Sequence, residues 1–306
     1  MKVTLLARTA AFFAASCLLS IPALAQGGPP PEGGAPNADA RAAAMAAAEA
    51  KFKEAAALPT PHTADGHPDL SGYWTSSNGF GGGPGGGGGE KAVTPDGKTI
   101  KAIAGAEEQE IAGDTANVAR RKADEAARPV YKPQFLATTQ DNFERASHVD
   151  PSFRCEPLGV PRSGAPSEIF QGANSVALLY ANRNMSRVIP TDGRQHDADA
   201  DSMSNGDAVG HWEGDTLVVD VANISTDTWL DGDGSFHDKN MHVVERFTRK
   251  GNTILYEVTV DDPTVFARPF SPKARNLILG KPGQHVTEDY PCVELDQAHL
   301  TTNERH

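Results

Sequence analysis

Cysteine is scarce in this sequence, with three cysteines among 306 residues. Cys17 lies in an apolar N-terminal stretch, so Cys155 and Cys292 are the two that remain for the rest of the chain. Two thiolates far apart in the sequence are too few for a zinc site made of cysteines alone. Two interpretations stay open: a disulfide, which an oxidising compartment favours, or two buried free thiols. A disulfide over so long a loop would stabilise the fold by about 4–5 kcal/mol in the chain-entropy description.

Basic residues are also in deficit, since 28 lysines and arginines face 40 aspartates and glutamates and the formal net charge is -12. A groove for nucleic acid needs basic surface that replaces the counterions of the phosphates. An anionic membrane attracts the same kind of surface. The composition therefore argues against nucleic acid and anionic membranes as partners and leaves a small molecule as the expected ligand.

Long apolar runs are missing after the N-terminal stretch, so no later segment is expected to span a bilayer. The chain opens with the basic residues Lys2 and Arg8, the apolar run 10–19 and the small-x-small sequence Ala23-Leu24-Ala25. This pattern predicts a signal peptide over residues 1–25 and a periplasmic or secreted protein. Lipidation of Cys17 is the alternative, although the residues before it lack the usual large aliphatic side chain. Cleavage would leave 26 basic and 40 acidic residues, a formal charge of -14.

Several motifs that would name a reaction are absent as well. The sequence has no Gly-x-Ser-x-Gly elbow for a serine nucleophile and no His-x-x-x-His pair for a helical metal site. The glycine run at 79–89 lacks the Gly-Lys-Ser/Thr ending of a phosphate loop. The acidic stretches that begin at Asp197 and Asp231 resemble the first half of a calcium loop, but the closing glutamate is missing from both. We expect both stretches to be solvated loops.

Composition divides the rest of the chain. Residues 26–37 are rich in glycine and proline and predict a disordered tether. Residues 38–58 are rich in alanine with interspersed charges and predict a helix, which Pro59 ends. The predicted domains are a signal peptide (1–25), a tether with an Ala-rich helix (26–58) and a β-rich domain (59–306).

Short strands dominate the predicted domain. After a first strand that ends at Trp74, the predicted strands are 169–180 as a strand pair, 185–190, 207–212, 216–224, 241–249 and 253–261. Residues 107–127 have helical composition. Gly214-Asp215 and Gly251-Asn252 fit two-residue type II′ turns between strands. The pattern predicts a mainly β fold, an antiparallel barrel or strongly curved sheet of lipocalin-like kind with minor helices.

The two turns also predict the register of their hairpins. The expected cross-strand pairs are Phe247 with Tyr256, Arg246 with Glu257, Val244 with Thr259, Trp212 with Leu217 and His211 with Val218. An aromatic pair and an opposite-charge pair directly across the strands support this register.

Four of the ten histidines lie close together in the sequence, at His196, His211, His237 and His242. Imidazoles bind zinc, copper or nickel, or transfer protons near neutral pH. Their spacing matches no metal motif, however, and separate strand-end and loop histidines with ordinary hydrogen bonds are the alternative. A divalent metal stays open as a cofactor, and we predict no other.

Two charged residues accompany these histidines. In the stretch Asp192-Gly-Arg-Gln-His196, Arg194 is a candidate for holding an anionic group. The alternative is a turn in which Asp192 pairs with Arg194. Glu245 lies in an apolar strand and is a candidate for acid–base work, with an ion-pair ladder as the alternative. The predicted catalytic residues are His196, His237, His242, Arg194 and Glu245.

Five motifs in order resemble those of a large family of exported bacterial proteins that mostly lack an assigned function. The motifs are Asp65-Gly-His-Pro-Asp-Leu-Ser-Gly-Tyr-Trp74, Cys155-Glu-Pro-Leu-Gly-Val-Pro-Arg162, Asp192-Gly-Arg-Gln-His196, Gly210-His-Trp-Glu-Gly-Asp-Thr-Leu-Val-Val-Asp220 and His242-Val-Val-Glu-Arg-Phe-Thr-Arg249. The resemblance covers about residues 60–294 and departs in the long glycine run after Trp74. It implies a shared exported β-rich domain and transfers no catalytic role.

Two functional hypotheses follow. The first is a binding protein that holds a small, mainly apolar molecule inside the barrel, whose mouth is a natural ligand site. The second is a hydrolase, lyase or isomerase that uses acid–base or metal-assisted catalysis. In that enzyme His196, His237 and His242 would transfer protons or bind the metal. Arg194 would hold an anionic group and Glu245 would orient or charge-balance the histidines.

Overall fold

The computed structural model describes residues 38–76, 127–290 and 292. The predicted signal peptide, the tether at 26–37, the glycine run at 79–89 and the helical stretch at 107–126 lie outside these residues. The chain forms two units, Met1–Ala43 and Ala44–His306. Of the first unit, the described residues are the beginning of a helix, and the sheet belongs to the second unit.

The described residues form eleven strands and three α-helices. The helices are α1 (Ala38–Ala56), α2 (Leu136–Glu144) and α3 (Ala146–Val149). The strands are β1 (Gly72–Ser76), β2 (Val130–Tyr131), β3 (Glu168–Gln171), β4 (Ser175–Leu179), β5 (Ser186–Pro190), β6 (Asp207–Glu213), β7 (Thr216–Ala222), β8 (His242–Lys250), β9 (Thr253–Asp261), β10 (Phe266–Arg268) and β11 (Arg275–Leu279). Helix α1 confirms the predicted Ala-rich helix. Within the described chain no helix has both the length and the apolar character needed to cross a membrane.

Nine strands form one antiparallel sheet in the order β5-β4-β3-β1-β11-β9-β8-β7-β6, and β2 pairs with β10 separately. The edge strands β5 and β6 lie against each other. A Cβ atom at Gly210 of β6 would stand 3.1 Å from Ile189 Cγ2 and 3.3 Å from the carbonyl oxygen of Pro190, both in β5. The sheet therefore curves into a nearly closed barrel, and the predicted mainly β fold is confirmed.

The two central hairpins have the predicted turns and registers. Gly214 and Gly251 have φ angles of 59° and 57°, while the residue after each has no positive φ, as a type II′ turn requires. The register pairs are Phe247 with Tyr256, Arg246 with Glu257, Val244 with Thr259, Trp212 with Leu217 and His211 with Val218, as expected. Beside the second turn, the Asn252 amide donates to the Ala55 carbonyl of helix α1 at 3.0 Å.

Strand alternation sorts the side chains of β7 and β8 into two faces. Val219 and Val221 of β7 belong to the hydrophobic core, as do Val243 and Phe247 of β8. We call this the inner face of the sheet. Alternate residues, including Asp220 and His242, therefore point to the outer face.

A disulfide joins Cys155 to Cys292, with their Cα atoms 5.6 Å apart and a sequence separation of 137 residues. Of the two interpretations that the sequence left open, the bridge is confirmed. The segment after Cys155 is anchored by a buried pair, in which Arg162 donates two 2.7 Å hydrogen bonds to the two carboxylate oxygens of Asp150. These bonds outweigh burial and lower the pKa of Asp150.

Candidate functional site

Two of the predicted histidines meet on the outer face of the sheet. His242 begins β8, and Asp220 of β7 lies opposite Val244, so His242 is its diagonal neighbour on the same face. His196 lies in the loop between β5 and β6, close to Asp207 at the start of β6. We call His196, Asp207, Asp220 and His242 the outer cluster.

The outer cluster is a chain of imidazole and carboxylate groups. His196 Nδ1 lies 2.9 Å from Asp207 Oδ2, and His196 Nε2 lies 3.1 Å from Asp220 Oδ1. The same Asp220 oxygen lies 2.5 Å from His242 Nε2. The amide of Asp197 also donates to Asp207 Oδ2 at 2.9 Å. Asp220 therefore joins the two histidines through one carboxylate oxygen.

The carboxylates favour the charged form of His196. Partial burial by itself lowers the pKa of this ring, but the hydrogen bonds to Asp207 and Asp220 outweigh it, so the pKa of His196 stands above its ordinary value. Both ring nitrogens can donate only in the imidazolium form. The arrangement of two acceptors therefore fits a protonated His196.

A pocket of about 340 Å³ adjoins the outer cluster. Its lining includes His196, Asp207 and His242 from the cluster, together with Lys239 and Asn240. We call it the histidine pocket. Within the described residues, His242 Nδ1 has no hydrogen-bond partner among the contacts found, so this nitrogen is available to a ligand.

Arg194 pairs with its neighbour Asp192 rather than joining the outer cluster. Its Nη2 atom lies 2.6 Å from Asp192 Oδ2, and its side chain is largely exposed. Hydrogen bonds from Arg194 lower the pKa of Asp192 to about 2. The contacts of Arg194 are therefore those of the alternative in which Asp192 and Arg194 pair within a turn. The charge of Asp207 also contributes to raising the Arg194 pKa.

His237 lies apart from the other two candidate histidines, contrary to the expectation that the three would meet. It is buried, with Nε2 2.9 Å from Thr228 Oγ1 and Nδ1 3.0 Å from the carbonyl oxygen of Asp238. Burial lowers the pKa of His237. Both nitrogens are engaged by the protein, so this histidine is held by local hydrogen bonds.

Glu245 also lies away from the histidines, because it points to the inner face of β8. It is fully buried, and Arg187 Nη2 lies 2.6 Å from its Oε2 atom without the angles of a hydrogen bond. The Tyr256 hydroxyl donates to Glu245 Oε1 at 2.8 Å, and Arg187 Nη1 donates to the Tyr180 hydroxyl at 3.0 Å. We call Tyr180, Arg187, Glu245 and Tyr256 the inner cluster. The expectation that Glu245 would lie beside the histidines is wrong.

A second pocket, of about 320 Å³, lies beside the disulfide. Leu158, Tyr180 and Met185 give it an apolar floor, and the Cys155–Cys292 bridge forms part of its wall. Asn205 also lines it, and Asn205 Oδ1 is a buried atom with no hydrogen-bond partner. We call it the disulfide pocket.

Three residues of these sites were not predicted from the sequence as site residues: Asp220 and Asp207 of the outer cluster and Asn205 of the disulfide pocket. Asp220 interrupts an otherwise apolar strand, which was a usable signal for a functional carboxylate on the outer face. Asp207 and Asn205 carry no comparable signal, because each stands in a polar stretch where such residues are common.

The described residues include no group of three or more histidine, cysteine, aspartate or glutamate side chains arranged to hold a metal ion. Comparison of the chain with protein-family models, curated proteins and solved structures finds no match. The two pockets are therefore the places in the described residues where a ligand is expected.

Proposed function

We propose that this chain is an exported protein that binds a small, mainly apolar molecule carrying one hydrogen-bond donor. The proposed site is the disulfide pocket. The observation that carries this proposal is Asn205, a residue that lines the pocket and whose Oδ1 atom is buried without a hydrogen-bond partner. The disulfide and the resemblance of the five motifs to exported bacterial proteins support the export part of the proposal.

The size and lining of the pocket fit this class of ligand. A volume of about 320 Å³ lies at the lower end of the range for small-molecule sites. Pro157, Met185 and Tyr290 line the pocket and keep apolar surface exposed, which a ligand would cover. An unsatisfied buried carbonyl oxygen costs free energy, and a ligand donor that reaches Asn205 Oδ1 would remove that cost.

The inner face of the sheet is a poorer place for the ligand. Its side chains form one packed core in which Leu217, Val219, Phe247 and Ile254 are fully buried. A ligand there would have to displace these side chains, at a cost comparable to overpacking a core. The disulfide pocket, rather than the barrel interior expected from the sequence, is therefore the proposed ligand site.

Hydrogen bonds within the protein fix the walls of the disulfide pocket. Arg183 donates to the carbonyl oxygens of Glu156 and Ser152 at 2.6 and 2.7 Å, and its amide donates to Asp289 at 2.8 Å. These bonds tie the turn between β4 and β5 to the segments on either side of the disulfide. A pre-formed site loses less entropy on binding.

The test uses N-phenyl-1-naphthylamine, an apolar fluorescent molecule with one N–H donor, and titrates it into the purified chain. We expect saturable binding that Asn182→Trp abolishes, because Asn182 lines the pocket and the new side chain would fill it. Asn205→Ala should weaken binding by about 2- to 10-fold, the effect of one hydrogen bond. Val188→Trp is the matched control, since Val188 is 68% exposed and outside the pocket.

Removal of the disulfide by substitution is an independent test. Cys155→Ser removes part of the wall, so we expect weaker binding of the same probe even where circular dichroism shows an intact sheet. Equal binding by the wild type, Asn182→Trp and Val188→Trp would show that the probe binds elsewhere and would refute the proposed site.

A further inference from the structure

His242, which lines the histidine pocket, pairs with the carboxylate of Asp220. This pair differs from an ordinary surface pair. His211 and Glu213 form such an ordinary pair at 3.2 Å, with about half of each side chain exposed. The His242 and Asp220 side chains are 44% and 35% exposed and also form a hydrogen-bonded pair, but His242 lines a pocket, and the same Asp220 oxygen contacts His196. The imidazole thus has Nε2 on the carboxylate, while Nδ1 has no protein partner within the described residues.

This arrangement sets the tautomer of His242. Because Asp220 accepts a hydrogen bond from Nε2, the proton of the neutral ring stays on Nε2 and the lone pair stays on Nδ1. A carboxylate that orients an imidazole in this way is the usual support of a general base. His196 binds the same Asp220 oxygen and keeps the carboxylate in place.

Lys239 supplies a positive charge at the same pocket. It lines the histidine pocket and is exposed, and within the described residues it forms no ion pair among those found. An ammonium group stabilises negative charge that develops on an oxygen during acyl transfer. The pocket therefore combines a proton acceptor with a group that favours an oxyanion.

We infer that the histidine pocket is a hydrolytic site for small, uncharged esters, with His242 as its general base and Asp220 and His196 as positioning residues. The carboxylates of Asp197 and Asp207 line the same pocket and disfavour an anionic substrate. The pocket volume of about 340 Å³ limits the substrate to a small molecule. This inference is separate from the proposed binding function, which concerns the disulfide pocket.

The reaction balances without a cofactor. Nδ1 of His242 takes a proton from water while the water oxygen bonds to the carbonyl carbon, and the carbonyl π electrons move onto the carbonyl oxygen. The oxyanion then re-forms the double bond and expels the alcohol oxygen, which takes the proton from His242. Ester and water become acid and alcohol, and His242 returns to its neutral form.

The test measures hydrolysis of p-nitrophenyl acetate by the full chain. We expect His242→Gln to lower kcat/KM by roughly 100-fold, the lower end of the effect of a general base. Asp220→Asn should also lower kcat/KM, and adding it to His242→Gln should cause no further loss. His211→Gln is the matched control and should leave the rate within about 2-fold, since a surface pair outside the pocket makes no use of general-base geometry.

Two further measurements keep the inference open to refutation. Asn240→Trp, at an exposed position in the pocket lining, should block hydrolysis, whereas Asn182→Trp in the disulfide pocket should not. Nitrogen NMR of labelled histidine should show the proton of neutral His242 on Nε2, and Asp220→Asn should release this preference. Equal, small losses in His242→Gln and His211→Gln, or a mixed His242 tautomer in the wild type, would overturn the inference.

Discussion

Strand β8 carries a polar group on each face, Glu245 in the inner cluster and His242 in the outer cluster, and the two clusters show how differently such groups behave. In the inner cluster, the Arg187 and Glu245 side chains are 3% and 1% exposed. In the outer cluster, the four side chains are between 24% and 44% exposed. Both clusters place nitrogen-bearing side chains against carboxylates, and they differ in contact with solvent.

The two tyrosines and the arginine of the inner cluster have pKa values raised above their ordinary range. Desolvation raises the pKa of Tyr180 to about 12 and that of Tyr256 well above its ordinary value. Contact with Glu245 outweighs the desolvation of Arg187 and raises its pKa as well. Tyr180, Tyr256 and Arg187 therefore stay protonated at physiological pH. The outer cluster contains two imidazoles, the side-chain type best suited to proton transfer, and adjoins a pocket, so the outer face is where chemistry is expected.

The largest effect should come from breaking the inner ion pair. Glu245→Ala leaves the Arg187 guanidinium buried without its carboxylate, which costs about 3–5 kcal/mol. Chemical denaturation followed by circular dichroism would measure this loss as a lower midpoint.

Two controls show whether the loss belongs to the buried charge. Glu257→Gln removes a carboxylate from the outer face of the neighbouring strand and should change stability by less than about 0.5 kcal/mol. Arg187→Met combined with Glu245→Leu should cost less than Glu245→Ala alone, because no unpaired charge is left inside. A double variant as unstable as the single one would mean that cavity formation, rather than charge, dominates.

A smaller effect is expected when the outer cluster is broken. Asp220→Asn keeps the shape of the side chain and removes a partly exposed charge, so it should cost at most about 1 kcal/mol. Its inner counterpart, Tyr256→Phe, takes a donor from buried Glu245 and should cost about 1–3 kcal/mol. Denaturation of both variants under one set of conditions tests this order. A larger loss of stability in Asp220→Asn than in Tyr256→Phe would mean that the outer cluster serves mainly to stabilise the fold.

The same contrast explains which parts of the fold and site could be predicted from the sequence. Hairpin turns and their registers were predictable because each depends on a few adjacent residues. The pairing of β1 with both β3 and β11 was not, since it joins residues about 100 and 200 positions apart and no local pattern encodes it. Strands β2, β10 and β11 are short and lack clear alternation, so they left no sequence signal.

For the candidate site, the alternation of side chains along a strand predicts positions better than the sequence motifs do. His242 and Glu245 are three residues apart on one strand, so they must point to opposite faces. Their separation in space was therefore predictable. The meeting of His242 with Asp220 was not, because the long connection at 223–241 leaves the β7–β8 register open.

The smallest expected effect that distinguishes the outer from the inner cluster is the pH dependence of the stability contributed by His196. Its folded pKa is raised, so its contribution to stability is fully present below about 6.5, the ordinary histidine value, and is lost as pH rises through the folded pKa. Above that pH only one ring nitrogen carries a proton, and one of the two carboxylate contacts is lost. NMR titration should show the raised pKa, and Asp207→Asn should lower it. Amides in the loop 191–206 should exchange faster above this transition, while those of β7 and β8 near the inner cluster should not respond. A His196 pKa unaffected by Asp207→Asn would show that the carboxylates do not control the ring.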